Sequence, residues 1–288
     1  MSTTVETAAV EPTAARGSWA LWSSQVAAIM RIEVRKNFLG LRSLLVYALA
    51  ALPVMLLFAM AAFPPTARRL ADPSFGSVLF AYIYEGLLLR AVVFFGCAWI
   101  FMNLFRGEIV DRSLHYYLLS AVRREVLVAG KFLAGLFTST VLFAATTIAC
   151  LILAYAPRGL SGATEYILRG PGLSYAAGYV FVTFLACLGY GALFLAIGLV
   201  FRNPILPALA IYGWEFINFL LPPVLKKISI IHYLQSVSPV AVPDGPFAIL
   251  ADPTPAWIGV PGFFVVTVLL LWFASWRVRH LEIRYGGE

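Results

Sequence analysis

The residues best suited to chemistry are a run of charges at residues 106–131, between two long apolar stretches, and a single carboxylic acid, Glu215, inside another. Carboxylate and guanidinium groups on such a connection can form ion pairs with a second protein, and these pairs set register and partner choice. The charged candidates in the run are Glu108, Asp111, Arg112, Arg123 and Arg124. The pattern alone does not distinguish a surface for a cytoplasmic partner from a polar connection that only anchors the loop.

The same run predicts a short amphipathic helix. Leu114, Tyr117 and neighbouring apolar residues fall close to one helical stripe, whereas most of the charges fall elsewhere. A helix of this kind, held between two membrane spans, can transmit force from a cytoplasmic partner. A helix that only anchors the loop to the membrane surface explains the pattern equally well. The residues alone leave both roles open.

Glu215 lies near the middle of its apolar stretch, close in sequence to Tyr212 and Asn218. A charged carboxyl at the centre of a bilayer costs about 2.5–3.5 kcal/mol on insertion scales, so it needs pairing, protonation or water. We expect it to face the interior of the helix bundle or a dimer interface, with Asn218 or Tyr212 beside it. Two roles remain open: a position on a substrate pathway or gate, and a structural hydrogen bond between helices.

Motifs for enzymatic chemistry are missing from the sequence. The Gly130-Lys131 pair lacks both the leading glycine and the following hydroxyl of a phosphate loop. The three histidines are far apart in the sequence, and the three cysteines have no metal-binding spacing. A membrane-embedded acyl or glycosyl transferase is therefore disfavoured. We expect no catalytic residue, no metal and no cofactor in this chain.

The composition is that of an integral membrane protein. The chain is 61% hydrophobic and 12% charged, with a mean hydropathy of +0.87, whereas soluble domains have about 25% charged residues. A bilayer core of about 30 Å needs about 20 helical residues. The apolar stretches predict an all-α integral membrane fold with six transmembrane helices, at about residues 43–63, 86–105, 132–155, 175–201, 204–221 and 257–276.

The net charge of +7 does not indicate a nucleic-acid partner. The basic residues cluster at the ends of the predicted spans, where lysine and arginine mark the cytoplasmic side. With the N-terminus inside, the cytoplasmic segments hold roughly two thirds of the 21 basic residues. An even number of spans then places both termini in the cytoplasm, with the protein in the cell membrane.

The segments outside the spans have distinct characters. Residues 1–17 lack a hydrophobic segment and predict a disordered cytoplasmic tail. Residues 18–42, with Trp19 and Trp22, predict an amphipathic helix along the cytoplasmic interface, the alternative being a simple extension of the first span. The unusually apolar connection at residues 225–255 predicts a short helix that dips into the outer leaflet or covers the mouth of the bundle.

The charged run resembles the cytoplasmic loop of ABC-2 type transporter permeases. That loop has an acidic residue, a Gly-Thr-Leu-Glu-Tyr-Leu-Leu sequence, a Pro-Val-x-Arg-Arg-Glu turn, and a Gly-Lys pair that opens the next span. The corresponding residues here are Glu108 and Asp111, Ser113-Leu114, Tyr116 or Tyr117, Leu118-Leu119, Arg123-Arg124-Glu125 and Gly130-Lys131. Arg112 replaces the usual glycine, and no proline precedes Val122.

The resemblance implies that residues 43–288 form a six-helix permease domain with a coupling segment at residues 106–130. Two such permeases, identical or related, would assemble in membrane lipid with two ATP-binding subunits, which bind the ATP and Mg²⁺. The residues coupling to the ATP-binding subunit would be Glu108, Asp111, Arg112, Leu114, Tyr117, Arg123 and Arg124. The resemblance also implies export. The alternative function is an ATP-independent membrane carrier, channel or scaffold.

Overall fold

The computed structural model describes residues 18–110, 123–242, 249 and 254–280, which are helical with no β-strand. The tail predicted at residues 1–17 lies outside them. The helices are α1 (Ser18–Leu39), α2 (Ser43–Ala62), α3 (Pro64–Ala71), α4 (Pro73–Ile83), α5 (Phe94–Val110), α6 (Arg124–Tyr155), α7 (Gly159–Leu168), α8 (Gly172–Val200), α9 (Ile205–Phe216), α10 (Pro223–Lys226), α11 (Ile230–Val237) and α12 (Ala256–Arg279). A π-helical segment, Tyr84–Val93, joins α4 to α5, and 3-10 turns follow α6 at Ala156–Arg158 and α9 at Ile217–Leu220.

Within these described ranges, five helical segments are long and apolar enough to cross a membrane, which fits an all-α membrane fold. They are Ser43–Ala62, Pro73–Glu108, Arg124–Arg158, Gly172–Val200 and Ala256–Arg279. Each contains one of the predicted spans or nearly coincides with it. The second and third are longer than predicted because their helices continue through polar residues that a hydropathy pattern excludes.

The fifth predicted span, at residues 204–221, differs from the other five. It consists of the 12-residue helix α9 and a 4-residue 3-10 turn, and Pro222 follows. At about 1.5 Å per α-helical and 2.0 Å per 3-10 residue, this segment is roughly 26 Å long, less than a hydrocarbon core of about 30 Å. The sequence therefore predicts six comparable spans, whereas the described residues contain five and one shorter apolar segment.

The chain nevertheless returns across the bundle between α8 and α12. Arg279 at the end of α12 forms an ion pair with Glu125 in the first turn of α6. The last turns of α8 lie at the same end, because a Cβ on Gly198 would be 3.0 Å from the Met102 backbone of α5. The connection from α8 to the start of α12 must therefore reach the opposite end of the bundle, and it does so through α9, α10 and α11.

The first helix is a separate element rather than an extension of the first span. Residues 40–42 interrupt the helix between α1 and α2. Side chains from α2 then satisfy a carbonyl in the last turn of α1: the hydroxyls of Ser43 and Tyr47 both donate to Phe38 O, at 3.1 and 2.9 Å. α1 packs along the first turns of α6, where Gly130 lies against Ile29.

Small residues let the central helices approach closely. In α8, 78% of the most apolar 18-residue stretch is buried, whereas the corresponding share is 22% in α2 and in α12. α8 is therefore central and the other two helices are peripheral. The fully buried ring of Phe101 in α5 lies between two glycines, Gly135 of α6 and Gly191 of α8. Glycine at such positions permits the close packing of membrane helices.

We predict that Gly191→Ala lowers the melting temperature of the detergent-solubilised protein, whereas Gly213→Ala leaves it unchanged or raises it. A Cβ on Gly191 would lie 2.5 Å from Phe101 Cζ, but a Cβ on Gly213 would have no neighbour within 4 Å. Overpacking a tight core costs about 1–3 kcal/mol, whereas alanine improves helix propensity by up to about 1 kcal/mol. Equal melting temperatures for the two variants would contradict this packing.

Candidate functional site

Three charged side chains from three helices meet at the base of the charged run. Glu33 comes from α1, Glu108 from the end of α5 and Lys131 from the beginning of α6. The Lys131 ammonium donates to Glu33 Oε1 at 2.5 Å and to Glu108 Oε1 at 2.6 Å. We call these three residues the ionic junction.

The ionic junction is almost completely removed from solvent. The exposed fractions are 1% for Glu33, 1% for Glu108 and 0% for Lys131. Lys131 also donates to the Leu104 carbonyl at 3.0 Å, so its three N–H donors have partners. Removing one member of a buried ion pair costs about 3–5 kcal/mol, because the remaining charge stays buried and uncompensated. The junction therefore holds α1, α5 and α6 in one relative position.

A second ammonium group lies near the junction. The Lys36 ammonium lies 3.8 Å from Glu108 Oε1, and its side chain is 45% exposed. The Phe105 ring lies against the Lys131 ammonium, with 5.4 Å between the nitrogen and the ring centroid. The two carboxylates thus face two ammonium groups. One ammonium is buried between them, and the other approaches from the surface.

The second end of the charged run is attached to two further elements. The Arg123 guanidinium lies over the Trp22 ring of α1, 4.7 Å from its centroid, which is a cation–π distance. Arg124 donates to the last carbonyls of α12, including that of Arg279, and so satisfies acceptors that a helix end leaves free. Glu125 forms an ion pair with Arg279. This end of the charged run therefore contacts both α1 and α12.

The predicted coupling residues therefore fall into two groups. Glu108, Arg123 and Arg124 lie at the base of the loop, and each contacts other parts of this chain. The Glu108 carboxylate faces Lys131 in the interior rather than the protein surface. The other four, Asp111, Arg112, Leu114 and Tyr117, lie outside the described residues.

Sequence reasoning missed the partners of Glu108. The amphipathic pattern of residues 18–42 does not single out Glu33, and Lys131 stands out only as part of the Gly-Lys pair. A signal existed for Glu33, because it lies four residues after Ile29, on the stripe that α1 packs against α6. A charge on a packed helix stripe indicates a buried partner. Nothing local identified that partner, which is 98 residues away.

Glu215 is the second predicted site, and its carboxylate caps a helix. Oε1 accepts from the backbone N–H of Ile230 at 2.9 Å, and Oε2 accepts from the Ile231 N–H at 3.0 Å and from the Ser229 hydroxyl at 2.7 Å. These amides belong to the first turn of α11, where the helix dipole favours a negative charge. The Tyr190 hydroxyl adds a longer contact at 3.4 Å.

Arg90 completes this second site from the π-helical segment. Its guanidinium donates to the Glu215 carbonyl at 3.0 Å and to the Phe216 carbonyl at 3.4 Å, at the end of α9. A cation at the C-terminal end of a helix is favourable for the same electrostatic reason as an anion at the N-terminal end. Arg90 and Glu215 together therefore join the end of α9 to the start of α11.

Neither of the expected neighbours of Glu215 forms a hydrogen bond with its carboxylate. Asn218 is buried, but its Nδ2 has no hydrogen-bond partner among the described residues. Tyr212 packs on the aromatic rings of Phe94 and Phe95, with centroids at 5.2 and 4.6 Å. Of the two roles left open by the sequence, this geometry favours the structural hydrogen bond between helices over a gate.

A metal site is not evident. In the part of the chain that the structure describes, no group of three or more His, Cys, Asp or Glu side chains could hold a metal ion. Cys97, Cys150 and Cys187 are buried free thiols.

No family model, curated protein or solved structure matches the chain. The resemblance to ABC-2 permeases therefore depends on the loop motif and the pattern of spans.

We predict that Lys131→Met destabilises the protein by about 3–5 kcal/mol, because two buried carboxylates then face each other without a cation. Lys36→Met is the matched control: it also removes one ammonium near Glu108, but from a 45% exposed side chain, and exposed pairs contribute at most about 1 kcal/mol. Thermal unfolding of the two purified variants measures the difference. Similar melting temperatures would show that the junction does not hold the helices.

We predict that Glu215→Gln loosens α11. An amide presents one oxygen and one NH₂ group, so at least one donor of the first turn loses its acceptor, at a cost of about 1–3 kcal/mol. Hydrogen exchange at Ile230 and Ile231 should accelerate, and the melting temperature should fall. Glu165→Gln, an exposed glutamate on α7, is the control. Unchanged exchange in Glu215→Gln would remove the capping role.

Proposed function

We propose that this chain is a membrane-spanning permease subunit of an ABC-2 type transporter, which couples to a separate ATP-binding subunit through residues 106–130. One observation carries the proposal: the two ends of the charged run are ion-paired to each other through Glu108 and Lys131, at 2.6 Å, and to α1 through Glu33. A loop that only connects two spans needs no such base. A loop that transmits force needs one, because a flexible base would absorb the displacement.

The ionic junction supports a concerted movement of the spans. A partner that pushes on the loop would move α5 and α6 through the loop ends, and α1 through Glu33. α12 would follow through the Arg124 and Glu125 contacts at its last turn. Breaking the junction costs about 3–5 kcal/mol, so a small displacement leaves it intact. The helices at this end of the bundle would then move as one body.

The proposed roles of the predicted residues follow from their positions. Glu108, Arg123 and Arg124 become positioning residues, because their contacts lie within the chain. Asp111, Arg112, Leu114 and Tyr117, in the middle of the loop, are the proposed contacts with the ATP-binding subunit. Charged contacts at such a surface determine the partner and its register.

The arrangement of the ends supports the proposed orientation. α1, the base of the loop and the last turn of α12 lie at one end of the bundle. Together with the bias of basic residues, this supports a cytoplasmic location for both termini. ATP and Mg²⁺ would bind to the partner subunit. The largely exposed apolar faces of α2 and α12 are suited to lipid and to a second permease copy.

We predict that a cysteine at Tyr117 reacts with a membrane-impermeant maleimide in inside-out vesicles but not in intact cells. Background is low because the native cysteines are buried. Val224→Cys is the control: its side chain is 77% exposed beyond the other end of α9, and it should react only in intact cells. Labelling of Tyr117→Cys from outside would place the loop on the wrong face for any ATP-binding subunit.

The coupling itself is tested with a photo-crosslinking amino acid at position 117 and, as control, at position 224. Position 117 should capture a subunit with a phosphate-loop sequence, identified by mass spectrometry. The purified complex should hydrolyse ATP, and a combined Asp111→Arg and Arg112→Glu exchange should weaken its assembly without lowering the melting temperature of the permease. A carrier, channel or scaffold would capture no such subunit, and that result would reject the proposal.

A further inference from the structure

A cavity of about 270 Å³ lies between α1, α2 and α5, beside the ionic junction. Its polar side is formed by Lys36, Asn37, Arg42 and Asn103. Because it occupies the bend where α1 turns into α2, we call it the elbow cavity. The proposed coupling function does not involve it.

The polar side of the elbow cavity has the chemistry of an anion site. Lys36 and Arg42 are both among its lining residues. Asn37 Nδ2 is buried and has no hydrogen-bond partner among the described residues. Glu33 also lines the cavity, but the Lys131 ammonium at 2.5 Å compensates its charge. A basic residue, Lys36, and an amide donor without an acceptor among the described residues therefore lie beside one space.

The other side of the cavity is apolar. Val46, Ile100 and Leu104 line it, and they belong to two of the helices that are long enough to cross a membrane. Ser43, the first residue of α2, also lines the cavity. The cavity thus lies at the boundary between apolar spans and polar headgroups. Apolar walls form no favourable contact with a free phosphate ion. A phospholipid can contact them, because its hydrocarbon part lies directly below its phosphate.

We propose that the elbow cavity binds the phosphate of an anionic membrane phospholipid, with Lys36 and Asn37 as its donors. Binding pockets for small molecules begin at about 300 Å³, so a cavity near this size accepts a headgroup phosphate and the first carbons below it rather than a whole lipid. Basic residues at the membrane surface attract anionic lipid. The apolar wall and the Asn37 donor make this position specific.

A lipid in the elbow cavity would contact the ionic junction from the membrane side. Lys36 lies 3.8 Å from Glu108 Oε1 and lines the cavity, so its ammonium can serve both the carboxylate and the phosphate. The inference requires only α1, α2 and α5, and it holds whether the cytoplasmic partner is an ATP-binding subunit or another protein.

The test measures binding of phosphatidylglycerol and, as the neutral comparison, phosphatidylcholine to the full-length protein in detergent, by native mass spectrometry. The Lys36→Gln and Asn37→Leu variants should each bind phosphatidylglycerol about fivefold more weakly than the unmodified protein. The matched controls are Arg31→Gln and Arg35→Gln, which remove exposed charges of the same helix outside the cavity. They should stay within about twofold, because exposed charges are screened.

The outcomes separate the possible sources of binding. Asn37→Leu leaves every residue of the ionic junction in place, so it decides the question even if Lys36→Gln disturbs folding; melting temperatures without lipid verify both variants. Equal weakening by Arg35→Gln and Lys36→Gln would mean a non-specific basic surface and overturn the proposal. Displacement of the lipid by glycerol phosphate would mean a soluble-anion site and overturn it too. Unweakened binding by a folded Asn37→Leu would also exclude the site.

Discussion

One end of this bundle depends on the ion pairs that the Lys131 ammonium forms with two buried carboxylates. A charge cannot be left alone in a medium of low dielectric constant, so α1, α5 and α6 can pack only in an arrangement that brings all three groups together. This constraint turns α1 from a surface helix into part of the bundle, because Glu33 contributes one of the two carboxylates. It also closes the loop between α5 and α6 at its base.

The same constraint explains the opposite region, where helices end inside the protein. α9 and α11 are shorter than a membrane crossing, and free backbone groups at buried helix ends are costly. Arg90 satisfies the carbonyls at the end of α9, and Glu215 satisfies the amides at the start of α11. Among the described residues, buried charges therefore complete the architecture at a loop base and at a pair of short helices.

The spans could be predicted, but the details of the sites could not. Hydropathy identifies where a helix satisfies its own backbone in lipid, and five of the predicted spans correspond to long helices for that reason. The stretch at residues 204–221 has the same composition, yet its helix is shorter because Pro222 and the polar partners Arg90 and Glu215 allow it to end early. Arg90 and Glu215 are 125 residues apart in the sequence.

What the sequence by itself determined is local: the positions of five long apolar helices, and a charged loop whose motif resembles that of a transporter permease. Helical periodicity and hydropathy act over one or two turns, so a single sequence is sufficient for them. Only the tertiary structure decided that Glu108 faces inward to Lys131 and that Glu215 caps a helix. Both follow from buried charges that must find a partner, and the partner is chosen by packing between distant helices.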